Sequence, residues 1–137
     1  MFSSKSDNWA TPQRLFDELN REFAFTLDPC ASVENAKCDF FYTKEDNGLL
    51  QNWGGHNVFC NPPYGKEIGK WVAKCAEESN KFNTCCVMLI PARTDTKWFH
   101  QYIWGKAEVR FLKGRLKFGN AKNAAPFPSM IVIFKNN

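Results

Sequence analysis

Histidine is scarce in this chain, and paired cysteine motifs are missing. His56 and His100 are the two histidines, and the six cysteines at 30, 38, 60, 75, 85 and 86 form no C-x-x-C. That spacing excludes a zinc ribbon and a thioredoxin-type dithiol, and no metal site is expected. No stretch approaches the roughly 18 apolar residues that a bilayer span requires. No secretory hydrophobic segment opens the sequence either, so neither a membrane helix nor export is expected. The thiols are accordingly expected to be free in a reducing cytoplasm. Internal repeats, low-complexity tracts and linkers are also absent, which leaves residues 1–137 as a single domain.

What the chain does contain is apolar and aromatic. The 13 phenylalanines and five tryptophans are enough for a packed core and too many for a disordered chain. The net charge of +4 is unevenly spread: −4 over residues 1–64, +2 over 65–101 and +6 over 102–137. The basic last third either meets an anionic partner such as nucleic acid or is an ordinary solvated surface.

Periodicity sets the order of elements. Thr11 suits a helix N-cap and Pro12 the first helical position, and Leu15, Phe16, Leu19 and Phe23 then form one apolar stripe. Short strands are expected at 25–27, 39–43 and 58–60. A helix follows with Ile68, Trp71, Val72 and Cys75 on one face. Residues 85–90 are continuously apolar, as in a strand buried on both faces, and Cys85 and Cys86 would point to opposite sides of it. Trp98, Phe99, Tyr102 and Ile103 give another helical stripe, with Thr94 or Asp95 as its cap. Strands at 107–112 and 129–134 have no helical pattern between them, so they are expected to pair antiparallel. The alternation predicts an α/β fold with a mostly parallel sheet and a C-terminal antiparallel strand pair. Ligands in such sheets bind outside the carboxyl ends of the strands, where residues 28–31 and 61–64 lie.

Asn61-Pro62-Pro63-Tyr64 follows directly on a strand. Two consecutive prolines fix φ twice and remove two donors, leaving a stiff ledge of carbonyl oxygens. Asn61 adds a side-chain acceptor and Tyr64 an aromatic face. Acceptors beside a stacking ring suit an NH₂ group on a planar ring or amide. The tetrapeptide resembles the signature of amino methyltransferases that use S-adenosylmethionine; the alternative is a proline-rich turn after a strand.

The likeness extends along the chain. Trp9 to Pro12, Asp28 to Ala31, Asp46 to Leu49, Trp53, Phe59 to Tyr64, Leu89 to Arg93, Gly114 to Leu116 with Phe118, and Pro126-Phe127 resemble the small phage-type DNA N-6-adenine methyltransferases, in the family's order. The resemblance implies a minimal Rossmann-like class I fold, S-adenosylmethionine as cofactor and adenine in double-stranded DNA as target. It implies catalytic roles for Asn61, Pro62, Pro63 and Tyr64. The adenine amine is a poor nucleophile because its lone pair is delocalised into the ring. The Asn61 side-chain oxygen and the Pro62 carbonyl would hold its two hydrogens, while Tyr64 stacks on a base flipped out of the duplex.

The same likeness places cofactor contacts at Asp28, Pro29, Cys30, Ala31 and Asn61, although Asp28-Pro29-Cys30-Ala31 stands where most class I methyltransferases have a glycine-rich loop. Asp28 is otherwise an N-cap or Asx-turn residue. Trp9, Thr11 and Pro12 either close over the methionine portion or form a plain N-cap with an aromatic anchor. Asp46, 18 residues after Asp28, is preferred over Asp39, 11 after it, as the ribose-binding carboxylate. Arg93 meets a phosphate or pairs with an acid. Lys113, Arg115 and Lys117 would share one face of a strand and track a DNA backbone, or else guard a hairpin edge with charge. Cys60 reads as packing and the two histidines as surface residues. No separate target-recognition domain fits within the chain, so specificity comes from loops or a homodimer, or is weak. Two alternatives stay open: the same chemistry on cytosine N4, an RNA base or protein glutamine, and a non-catalytic nucleic-acid-binding module.

Overall fold

Two α-helices, two shorter helical turns and six strands lie in the described part of the chain, residues 10–119 and 122–136 of a computed structural model. Helix α1 (Gln13–Phe23) buries Phe16, Leu19 and Phe23, three members of the expected stripe, each contributing roughly 1.5–3 kcal/mol by leaving water. It stops at Ala24, which adopts a left-handed conformation (φ 51°). The cap differs from expectation. The first intrahelical bond runs from the Phe16 N–H to the Pro12 carbonyl, so Pro12 is the N-cap and Thr11 lies outside the helix.

The strands are β1 (Leu27–Asp28), β2 (Phe40–Phe41), β3 (Asn57–Cys60), β4 (Cys85–Pro91), β5 (Glu108–Phe111) and β6 (Ser129–Lys135). They form one sheet in the order β2-β1-β3-β4-β6-β5. The first four run parallel, and β6 is antiparallel to both β4 and β5. Helix α2 (Ile68–Glu78) makes the crossover from β3 to β4 that a parallel pair requires.

Both faces of the sheet are covered, which explains the unbroken apolar run in β4. Val87 and Leu89 join Phe59, Ile131, Ile133 and α1 in one cluster. Cys86, Met88 and Ile90 join Val58, Cys60, Val132 and α2 in the other. Cys85 and Cys86 thus face opposite sides, and Cys60 is core packing, as expected. All six thiols are free. The stripe at 98–103 is a short turn of π-helix (Phe99–Ile103), whose leading amide, Phe99 N–H, bonds the Thr96 hydroxyl at 3.3 Å; Thr96 therefore does the job expected of Thr94 or Asp95. His56 is half-buried and not simply a surface residue: its Nδ1 lies 2.9 Å from the Thr26 hydroxyl.

One internal brace matters for the site. The buried Glu78 carboxylate accepts the Trp53 backbone N–H at 2.6 Å and pairs with Lys81 at 2.9 Å and Lys74 at 3.5 Å. Burial by itself pushes the Glu78 carboxyl up, but the Lys81 and Trp53 bonds and both lysine charges together hold it below its ordinary value. Trp53, fully buried, donates its indole N–H to the Gly48 carbonyl at 3.0 Å. Gly48 in turn lies against the Pro29 carbonyl so closely that a Cβ there would stand 2.1 Å from that oxygen.

Candidate active site

The sheet order locates a crevice. From β1 the chain moves to β2 on one side, and from β3 it moves to β4 on the other. The carboxyl ends of β1 and β3 therefore flank a topological switch point, the usual ligand position in open α/β sheets. Asp28 ends β1, and Asn61 follows the last residue of β3. Cys60 is still in register with Met88, after which two prolines without N–H groups cannot continue the ladder. The turn at 61–64 is thus written into the residue types.

Asn61 is held from two sides. Its Nδ2 donates to Thr11 Oγ1 at 3.0 Å, and its Oδ1 accepts from the Tyr64 hydroxyl at 2.8 Å. The Tyr64 hydroxyl also lies 3.1 Å from the Leu89 carbonyl of β4. Burial, with a smaller contribution from nearby Cys60, pushes the Tyr64 phenol well above its ordinary pKa, so it remains a donor. The Tyr64 ring meets Phe127 edge-on at 5.6 Å and Phe118 at 6.0 Å. Tyr64 therefore has an internal task, holding Asn61, beside the stacking expected of it. Sequence reasoning assigned no role to Phe118, Phe127 or the Leu89 carbonyl. The aromatic residues flanking the basic stretch were the available signal.

Asp28 is buried, and its carboxylate faces backbone amides: Lys37 N–H at 3.0 Å on Oδ2 and Cys30 N–H at 3.4 Å on Oδ1. Burial pushes its pKa up, opposed by those two amides and the Lys37 charge. Both the Asx-type turn and a buried acceptor in the crevice are therefore present. Reciprocal bonds between Tyr42 and the backbone of Asp28 and Ala31, at 3.0 and 2.9 Å, tie residues 28–31 to the end of β2. The Cys30 thiol is half-buried, and burial first, then neighbouring Cys60 and Asp28, hold it protonated.

Asp46 is exposed, and its Oδ2 accepts from the Thr43 amide at 2.9 Å and the Thr43 hydroxyl at 3.0 Å. Much of its capacity serves this local turn. The Gly48–Pro29 contact nevertheless docks the Asp46 turn on the Asp28 loop, bringing together two segments that sequence alone left apart. Pro12 is half-buried beside Thr11, whereas Trp9 lies outside the described residues. Arg93 is exposed just beyond the carboxyl end of β4.

The basic row is not a strand. β5 ends at Phe111, and Gly114 has φ +73°, which breaks the alternation between Lys113 and Arg115. Lys113, Arg115 and Lys117 are all exposed, but only Arg115 and Lys117 alternate with inward-facing Leu116 and Phe118. Arg110, part of the same basic stretch, makes a forked pair with Glu22 (2.7 Å) and a bond to Glu108 (2.7 Å). Among the described residues no group of His, Cys, Asp or Glu is arranged to hold a metal, and no helix is long and apolar enough to cross a membrane. Two surface hollows, one lined by Ala76, Ser79 and Tyr102 and the other by Asn57, Phe82 and Cys85, lie at the opposite end of the strands, around the amino ends of β3 and β4.

Comparison with known proteins supplies the family. The family model described as DNA N-6-adenine-methyltransferase (Dam) matches residues 1–137. A DNA N-6-adenine-methyltransferase of Haemophilus phage HP1 is 31% identical over 140 residues, covering 96% of this chain and 80% of that protein. One of Escherichia phage T1 is 34% identical over 112 residues, covering 80% of this chain and 46% of that longer protein. A putative methyltransferase of Escherichia coli K12, YfdM, is 40% identical over 65 residues, covering 42% of this chain and 71% of that protein. A match along its whole length, and a relative at this identity over four-fifths of that relative, mean that the chain belongs to the DNA N-6-adenine-methyltransferase (Dam) family.

Proposed function

We propose that this chain methylates the exocyclic N6 of adenine in double-stranded DNA, with S-adenosylmethionine as donor, in one Rossmann-like class I domain spanning residues 1–137. The observation that carries the reading is the Asn61 carboxamide, held beside two prolines at the carboxyl end of β3 by bonds to Thr11 and Tyr64. A carbonyl oxygen has two lone pairs, so Oδ1 can accept from the target amine while Tyr64 holds it from one side. The Pro62 carbonyl supplies the second acceptor. Tyr64 presents its ring to a base turned out of the helix, because the amine is not reached within a duplex.

The residues at the crevice fit the cofactor. S-adenosylmethionine carries an ammonium, a carboxylate, a ribose and an electrophilic methyl on sulfonium, and that methyl is the chemistry it supplies. Asp28 is a buried acceptor for the ammonium at the mouth of β1, and Pro29, Cys30 and Ala31 form the loop around it. Helix α1 has no side-chain cap and no acid in its first turn, so the amides beyond Thr11 and Pro12 suit a carboxylate. Asp46, docked on the same loop, is the ribose partner. Arg93, Arg115, Lys117 and Lys113 contact DNA phosphates. Recognition rests on loops or on a homodimer, and the setting is the cytoplasm of a bacterial host.

The test is methyl transfer from labelled S-adenosylmethionine to unmethylated DNA, read by nucleoside mass spectrometry. N6-methyladenine is expected, and Asn61→Ala should lower turnover at least ~100-fold. Unchanged turnover in Asn61→Ala would remove the mechanism. Methylation of RNA or protein in place of DNA would redirect the substrate.

A further inference from the structure

We propose that Thr11 is a positioning residue: by bonding the Asn61 carboxamide through its hydroxyl it holds that group in the place from which it meets the target amine. The inference rests on the reading of Asn61 given above and adds to it the group that sets its position.

A carboxamide is a donor on one side and an acceptor on the other, and a half-turn about its last bond exchanges the two. Presented the wrong way round, Asn61 would place its own NH₂ against an incoming NH₂. The place and the orientation of this group therefore both matter. Among the described residues it bonds two hydroxyls, each able to accept from Nδ2 or to donate to Oδ1, so what they fix is its place. The Tyr64 hydroxyl has one proton and, among the described residues, two acceptors within reach, Asn61 Oδ1 at 2.8 Å and the Leu89 carbonyl at 3.1 Å. When that proton turns to Leu89, Tyr64 releases Oδ1. Tyr64 is also the residue expected to meet the base. The Thr11 bond, 3.0 Å long and made by a residue only 6% exposed, is the one suited to persist through binding.

The surroundings of Thr11 support that task. Threonine before proline at a helix start usually serves as a cap, but here Pro12 takes that place and no side-chain cap bond is made. The Thr11 hydroxyl instead reaches a residue 50 positions away. Pro12 restricts the residue before it to extended backbone, so the hydroxyl is aimed by a stiff bracket. That bracket is continuous with α1, whose Phe16 packs edge-on against Phe59 of β3 at 5.2 Å. β3 leads directly into Asn61. The Gly119 amide further ties the Ala10 carbonyl at 2.8 Å.

The experiment compares Thr11→Val, which keeps shape and loses the hydroxyl, with Thr11→Ser, which restores it, in the full chain. Thr11→Val should lower kcat about 10–100-fold, the scale for a displaced reacting group. Its KM for DNA and its Kd for S-adenosylmethionine by calorimetry should stay within about twofold, and Thr11→Ser should recover kcat. The double variant Thr11→Val/Asn61→Ala should be no slower than Asn61→Ala alone, because the effect passes through Asn61. A kcat within twofold of the parent in Thr11→Val overturns the proposal. So does a raised cofactor Kd at unchanged kcat, which makes Thr11 a cofactor contact. If Asn61→Ala retains turnover, the underlying reading fails; if Asn61→Ala is inactive while Thr11→Val is not, only the positioning role fails. Should Thr11→Val not fold, Thr11→Ala against Thr11→Ser gives the same comparison with the same two outcomes.

Discussion

Gly48→Ala perturbs the site through the backbone of the proposed cofactor loop, leaving Asn61 and Tyr64 unchanged. The added Cβ would lie 2.1 Å from the Pro29 carbonyl oxygen and 3.2 Å from the end of the Trp71 ring. Contact at 2.1 Å is more than 1 Å too short, and the obstacle on one side is main chain. Either the Asp28–Ala31 loop or the Asp46 turn must withdraw. Forced overpacking costs roughly 1–3 kcal/mol. Withdrawal also stretches the 3.0 Å bond from the Trp53 indole to the Gly48 carbonyl, worth about 1 kcal/mol. Together these give about 2–4 kcal/mol, which for a chain of this size lowers Tm by roughly 6–16 °C. The assay is thermal unfolding with and without S-adenosylmethionine, because the loop that moves is the proposed cofactor loop. The variant should show both the lowered Tm and a weakened cofactor-induced rise. Gly69→Ala is the control: it sits inside α2, its Cβ would meet the Trp98 ring at 3.4 Å, and helix propensity favours alanine by up to ~1 kcal/mol. A Gly48→Ala Tm within about 2 °C of the parent would refute the argument that this contact is rigid.

Two further outcomes are expected. Arg115→Ala and Lys117→Ala should each reduce the slope of log affinity for DNA against log salt by about 0.9, whereas Arg110→Ala, whose guanidinium is already paired with Glu22 and Glu108, should leave that slope unchanged; equal slopes in all three variants would exclude the assignment. The Glu78 carboxyl is held below its unfolded value near 4.5, so its stabilisation is present above that pH and lost as pH falls below it. Asp28 has the opposite sign: its pKa is raised, so its contribution is fullest below about 3.8 and declines as pH rises through the folded value. Urea midpoints against pH should therefore show a weaker acid limb in Glu78→Gln, and an unchanged acid limb would disprove that account of Glu78.

The elements were largely legible because their causes are local. The α1 stripe, the crossover helix and the doubly buried β4 announce themselves by period, and the prolines after Asn61 mark where β3 must stop. What escaped depended on partners distant in sequence. Thr11 looked like a cap because its hydroxyl could serve one, yet Asn61 competes for it. Lys113, Arg115 and Lys117 alternate correctly on paper, but the positive φ of Gly114 turns the chain between the first two. Asp28 and Asp46 were legible as carboxylates near the crevice. That both also bind main-chain amides was not, since turn geometry decides it. The family resemblance was legible because its motifs fall at strand ends, where residue type is constrained by both backbone and chemistry.

The reversed strand has a consequence for how the protein is made. β6 follows β5 in the chain, yet it lies inside the sheet, between β4 and β5, and pairs with β4 over seven residues from Pro91↔Ser129 to Cys85↔Lys135. A nascent chain emerging from the ribosome has β1 to β4 available early, but β5 has no neighbour until residues 129–135 arrive. Until then one edge of β4, apolar on both sides, stays open to any other extended segment. The slow, long-range closure waits until residues 129–135 are made, so crowded translation favours aggregation of products that stop short of them, and a chaperone that shields the β4 edge would raise the yield more than one acting on the finished fold.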